Sequence, residues 1–168
     1  GIKDVQIKYL DDTFPVERLS DDTYVDGILS RILVDNNNQH LCKTYTEELK
    51  LYRYEIVPES DQGRRVKLYF GKLLCTFDKD KGSATIPYPI FVEIFLDKEL
   101  IVARAKSKSG LYKYMESFIL DAATPTKAEK QMDEAIKYVC KLFAIDTAPC
   151  SVASAHFKKQ LYFMLEKY

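Results

Sequence analysis

The sequence predicts an α+β fold. We expect an antiparallel meander sheet of four to five strands, with an N-terminal helix and C-terminal helices packed on one face, in the order β-α-β-β-β-β-α-α-α. Three observations predict it. Four runs rich in β-branched and aromatic residues follow one another between residues 49 and 107, joined by turns too short for anything but antiparallel pairing. Apolar residues at helical spacing flank that block on both sides. The chain of 168 residues has the length of one domain and can bury roughly 70% of its unfolded surface. It begins with Gly1 rather than Met, which reads as the remnant of a cleaved tag, so residues 1–168 are read as a single domain excised from a larger protein.

The elements follow in order. Ile2, Val5, Ile7 and Tyr9 alternate as a first strand over 2–10. Ser20 reads as an N-cap, with Asp21 and Asp22 at the positive end of a helix dipole. Tyr24, Val25, Ile28, Leu29, Ile32 and Leu33 give that helix its apolar stripe, and the polar run at 36–39 ends it. Strands are expected over 49–57, 65–77, 84–96 and 100–107. Gly71 within the second of these suggests a bulge or bend. Pro87 and Pro89 have no N–H for a ladder, so their half of the next strand belongs at an edge or outside the pairing.

The last third reads as helical. A helix is expected over 109–122, and a second one opens on a Thr126/Glu129 capping box. Its stripe is Ala128, Met132, Ala135, Ile136, Val139, Leu142 and Phe143. A final helix over 151–167 carries Ala153, Phe157, Leu161, Met164 and Leu165. These stripes read as core.

Composition excludes some functions. Lys+Arg and Asp+Glu both number 25, so no whole-chain field draws the protein to nucleic acid or an anionic membrane. The charge is segregated, however. Residues 1–62 hold 7 basic and 13 acidic side chains, residues 63–113 hold 11 and 5, and residues 114–168 hold 7 and 7. Such asymmetry points either to an interaction surface or to pairing between the first two segments. Cys42, Cys75, Cys140 and Cys150 have no metal or redox spacing and read as reduced thiols of an intracellular protein, in cytoplasm or nucleus. No secretory signal and no apolar run of membrane-spanning length is seen, so no membrane partner is expected.

Catalytic chemistry finds little support. His40 and Cys42 share strand spacing, but no second ligand pair accompanies them, so no metal is expected. Cys150 and His156 are six residues apart, nearly two helical turns, which separates a thiol from its base. Asp35, Glu48 and Lys50 have a nuclease-like pattern, but acid-x-base triplets arise by chance in a chain this rich in both charges. No phosphate-cradling glycine loop is present and no cofactor is expected. The enzyme question leans to no.

The stretch 99–110 is more informative. Arg104, Lys106 and Lys108 alternate with Ala103 and Ala105, so an extended chain puts the cations on one face and the small residues on the other, under a helix. Lys113 follows, and Arg64, Arg65, Lys67 and Lys72 sit on a neighbouring strand, with Tyr52, Tyr54, Tyr69 and Tyr88 on the same block. Cations neutralise phosphates and rings stack on bases. The expectation is a non-catalytic recognition domain that binds nucleic acid through Arg104, Lys106, Lys108, Lys113, Arg64, Arg65 and Lys67. The alternative is a protein-interaction module using the same face against an acidic partner. A ligand cavity beneath a curved sheet is a third reading, and solvated lysines guarding an edge strand are the structural one.

Overall fold

The computed structural model describes residues 4–9, 14–39, 45–58, 61, 63–145 and 151–152. Among them the chain runs β1 (Asp4–Tyr9), α1 (Val16–Leu19), α2 (Asp22–Gln39), β2 (Lys50–Val57), β3 (Arg65–Asp78), β4 (Gly82–Phe95), β5 (Leu100–Ala105), β6 (Leu111–Lys113), β7 (Pro125–Thr126), α3 (Ala128–Leu142) and β8 (Ser151–Val152). The fold is α+β, with a curled antiparallel sheet, as the sequence predicts. The described strands lie in the order β7-β6-β3-β4-β5-β1-β8. β2 and β6 share the outer edge of β3, β2 along residues 65–71 and β6 along 74–76.

The β3–β4 hairpin is the spine, paired without a break from Arg65↔Phe95 to Asp78↔Gly82. Its turn closes because the Asp78 carboxylate accepts the backbone N–H groups of Asp80 and Lys81, at 2.7 and 3.1 Å. Gly82 supplies the positive φ of 78° that the turn needs.

Period-2 alternation sorts the side chains. Val66, Leu68 and Phe70 of β3, Ile90, Val92 and Ile94 of β4, and Ile101, Ala103 and Ala105 of β5 turn to the helical side. There they meet Met132, Ala135, Ile136 and Val139 of α3, and Val25 and Leu29 of α2 join the same core. Each large side chain so buried contributes about 1.5–3 kcal/mol. The two alanines of β5 leave room for α3 to close on that strand. The opposite face carries Arg65, Lys67, Tyr69, Phe91, Glu93 and Arg104.

Several local expectations give way. Residues 109–122 are not a helix. Beyond Gly71 the outer edge of β3 has lost β2, and its free backbone groups recruit residues 111–113 as β6, in the register Leu74↔Lys113 to Thr76↔Leu111. Phe118 then packs between Phe77 and Tyr112, with ring centroids 5.9 and 5.4 Å away, and one 3₁₀ turn follows at Leu120–Ala122. The N-cap of α2 is Asp21, one residue later than Ser20. Its Oδ1 accepts the N–H groups of Thr23 and Tyr24 at 3.1 and 3.3 Å. That helix continues through the polar run to Gln39, and the Asn36 amide donates to the Leu51 carbonyl at 3.0 Å, which ties α2 to β2.

The capping box at α3 does not form. Lys127 is the N-cap and makes no side-chain cap. Thr126 Oγ1 instead accepts Gln131 Nε2 at 2.8 Å, because both groups are buried and each needs a partner. Ser151–Val152, the expected start of the last helix, is a strand paired to β1, and residues 153–168 lie outside the described residues. Among the described residues no helix is long and apolar enough to cross a membrane.

Candidate functional site

The prolines create the site. β5 pairs with β4 only from Ile90↔Ala105 onward. Before that, among the described strands, the Pro87–Pro89 half of β4 is held by β3 alone, as expected of a segment without those N–H donors. The chain after Ala105 therefore leaves the sheet, and an open groove of about 800 Å³ lies between the proline segment, the sheet face and residues 104–108.

One cross-strand row forms the floor at the groove's edge. Arg53, Tyr69, Phe91 and Arg104 are direct neighbours across β2, β3, β4 and β5. The two rings pack at 5.0 Å, with the Arg53 guanidinium 5.0 Å over Tyr69 and that of Arg104 4.5 Å over Phe91. The next row is Glu55, Lys67, Glu93 and Val102. Glu93 is only 2% exposed. It accepts Arg104 Nη2 at 2.7 Å and Arg65 Nη1 at 3.3 Å, so two guanidiniums share one buried carboxylate.

A third group forms the far wall. Tyr45 and Tyr52 pack at 4.6 Å with their planes tilted by 57°. Tyr52 is the extra residue of a β-bulge in β2 between Leu51 and Arg53. The bulge thus lies in β2 opposite Phe70 and Tyr69, not at Gly71, which pairs with Lys50, and the β3–β4 ladder runs through Gly71 unbroken. Gly71 has a different purpose, since a Cβ there would fall 2.6 Å from Tyr45 Cζ. The missing side chain lets the Tyr45 ring lie on the strand. Burial, and after it the neighbouring Tyr45, pushes the Tyr52 hydroxyl above its usual pKa of 10.0.

The predicted cations separate into groups. Lys67, Arg104, Lys106 and Lys108 line the groove together, and among the described residues no carboxylate lines it. Among the described residues Lys67, Lys106 and Lys108 form no ion pair, whereas Arg104 and Arg65 share Glu93. Arg64 pairs with Asp97 at 3.6 Å near the end of the hairpin. Lys113 is exposed on β6, opposite Leu74, and does not line the groove. Lys72 faces the helices and pairs with Glu134 of α3 at 3.1 Å. The ion pairs that the basic third makes among the described residues are thus with its own segment and with α3.

The expected tyrosines separate as well. Tyr69, Tyr52 and Tyr88 all border the groove. Tyr54 turns to α2, where its hydroxyl donates to Asp26. Tyr88 is buried in the core, and its hydroxyl donates to the Lys106 carbonyl at 2.8 Å. That bond anchors the backbone from which Lys106 and Lys108 project.

Sequence reasoning missed Tyr45, Arg53 and Glu93. Glu93 had a legible signal, being one charge within an otherwise apolar run from Ile90 to Leu96, where a carboxylate must find partners. Tyr45 had none, because it precedes its strand and is brought to the site by tertiary contacts, among them the Leu73 N–H bond to the Thr46 carbonyl at 2.6 Å. Of the catalytic candidates, His40, Cys42, Cys150 and His156 lie outside the described residues. Asp35 and Glu48 are exposed while Lys50 is buried, and among the described residues no three metal-ligating side chains gather. No family model, no curated protein and no solved structure matches the chain.

Proposed function

We propose that this chain is a non-catalytic recognition domain that binds nucleic acid through the groove. One observation carries the reading: among the described residues the charged side chains of the groove wall are all cations, interleaved with aromatic rings. Lys67, Lys106 and Lys108 meet phosphates, with the gain coming from released counterions. Arg104 supports them from a position fixed by Glu93 and Phe91. Arg64, Arg65 and Lys113 contribute only to the surrounding field. The reading carries an intracellular setting with it, cytoplasm or nucleus, and the reduced, buried thiol of Cys75 agrees with one.

Fluorescence anisotropy of labelled oligonucleotides at several salt concentrations tests it. If three or four phosphates are neutralised, log K falls against log salt with a slope of about −2 to −3. The triple variant Lys67→Ala, Lys106→Ala, Lys108→Ala should lose both affinity and slope, and its fold should survive because none of the three holds an ion pair among the described residues. Flat titrations at low salt defeat the proposal and favour an acidic protein partner for the same cations.

A further inference from the structure

We infer that the groove selects an unpaired, base-bearing strand over a duplex, with Tyr45 and Tyr52 as the platform on which bases stack. The inference rests on the nucleic-acid reading and narrows it. Lys106 and Lys108 are exposed on the chain that leaves β5, while the Tyr45–Tyr52 pair stands on the side of the groove built by β2. Phosphates can therefore follow one wall while bases turn to the other.

Two pairs of rings line the groove. Tyr69 and Phe91 carry guanidiniums over their faces, from Arg53 and Arg104. Tyr45 and Tyr52 are half-buried, set against each other, and backed by the bare backbone of Gly71. Stacking needs a free base face. A duplex hides its base faces in its own stack and presents only edges and phosphates, so an aromatic wall inside a groove gains nothing from it. A single strand exposes those faces and bends to follow the cations.

The test uses the full chain and three labelled probes of equal length, about 12 nucleotides. One is an oligodeoxythymidine strand, one is an abasic strand with the same phosphates, and one is a duplex. The expected result is that the abasic strand binds at least about tenfold more weakly than the thymidine strand. The duplex should fall with the abasic strand. Tyr52→Leu should erase the difference between thymidine and abasic probes without weakening the abasic one, and Tyr52→Phe, which keeps the ring, should preserve it. Thermal melts followed by circular dichroism establish that both variants fold. Equal binding of thymidine and abasic strands, or tighter binding of duplex, overturns the inference and leaves a phosphate-only surface. Binding of none of the three overturns the nucleic-acid reading as well.

Discussion

Glu93 and Arg104 meet diagonally across β4 and β5, with Nη2 2.7 Å from Oε1, and the same guanidinium lies 4.5 Å over Phe91. A single buried carboxylate thereby sets the position of a groove cation and also takes the charge of Arg65. Removing it leaves two arginines that are mostly shielded from water and have lost their counter-charge. Glu93→Ala should destabilise the fold by about 3 kcal/mol, read from urea unfolding. Glu93→Gln, which keeps an acceptor, should cost less. Equal stability of Glu93→Ala and the parent chain would mean that solvent already screens both guanidiniums.

Gly71 is required by contact, since its backbone is ordinary strand and the neighbouring ladder is continuous. Gly71→Ala drives a methyl group into the Tyr45 ring and should cost about 1–3 kcal/mol. In Gly71→Ala combined with Tyr45→Ala most of that penalty should disappear, because the two residues couple through one clash. Chemical denaturation of the four chains gives the coupling directly. Strict additivity would show that the strand has no need of the glycine on Tyr45's account.

Burial raises the Tyr138 pKa above its usual 10.0, with the ring edge-on to Phe70 at 5.3 Å. The folded state therefore holds that proton more tightly than the unfolded chain. Its contribution to stability is complete below pH 10 and is lost as the pH rises through the folded-state value. Tyr138→Phe cannot ionise, so it should flatten part of the fall in stability above pH 10, measured by denaturation in a series of alkaline buffers. An unchanged alkaline fall would assign it to other tyrosines, among them Tyr54, whose pKa is raised by its hydrogen bond to Asp26.

How far the sequence reached can be judged at particular residues. The alternation from Leu100 to Ala105 correctly placed Ala103 and Ala105 under a helix and Arg104 on the other face, because a period of two leaves no other arrangement in a strand. The missing N–H donors of Pro87 and Pro89 marked their half of β4 as an edge. Two residues, Lys72 and Tyr88, were wrongly grouped with the open face. Both project to the helical side, where Lys72 meets Glu134 and Tyr88 is buried.

The sequence by itself determined the α+β class, the β2–β5 strand block, the apolar stripe of α3 and the concentration of cations in the middle third. All of these are local patterns of polarity and backbone propensity. Tertiary structure decided which cations stay together. Glu93 claims Arg65 and Arg104, Asp97 claims Arg64 and Glu134 claims Lys72, pairs whose members lie up to 62 residues apart. It also turned 111–113 into a strand, because the unpaired edge of β3 required partners that a surface helix could not offer. Pairing and edge satisfaction are contests among distant groups, and only the folded chain brings the contestants within reach of one another.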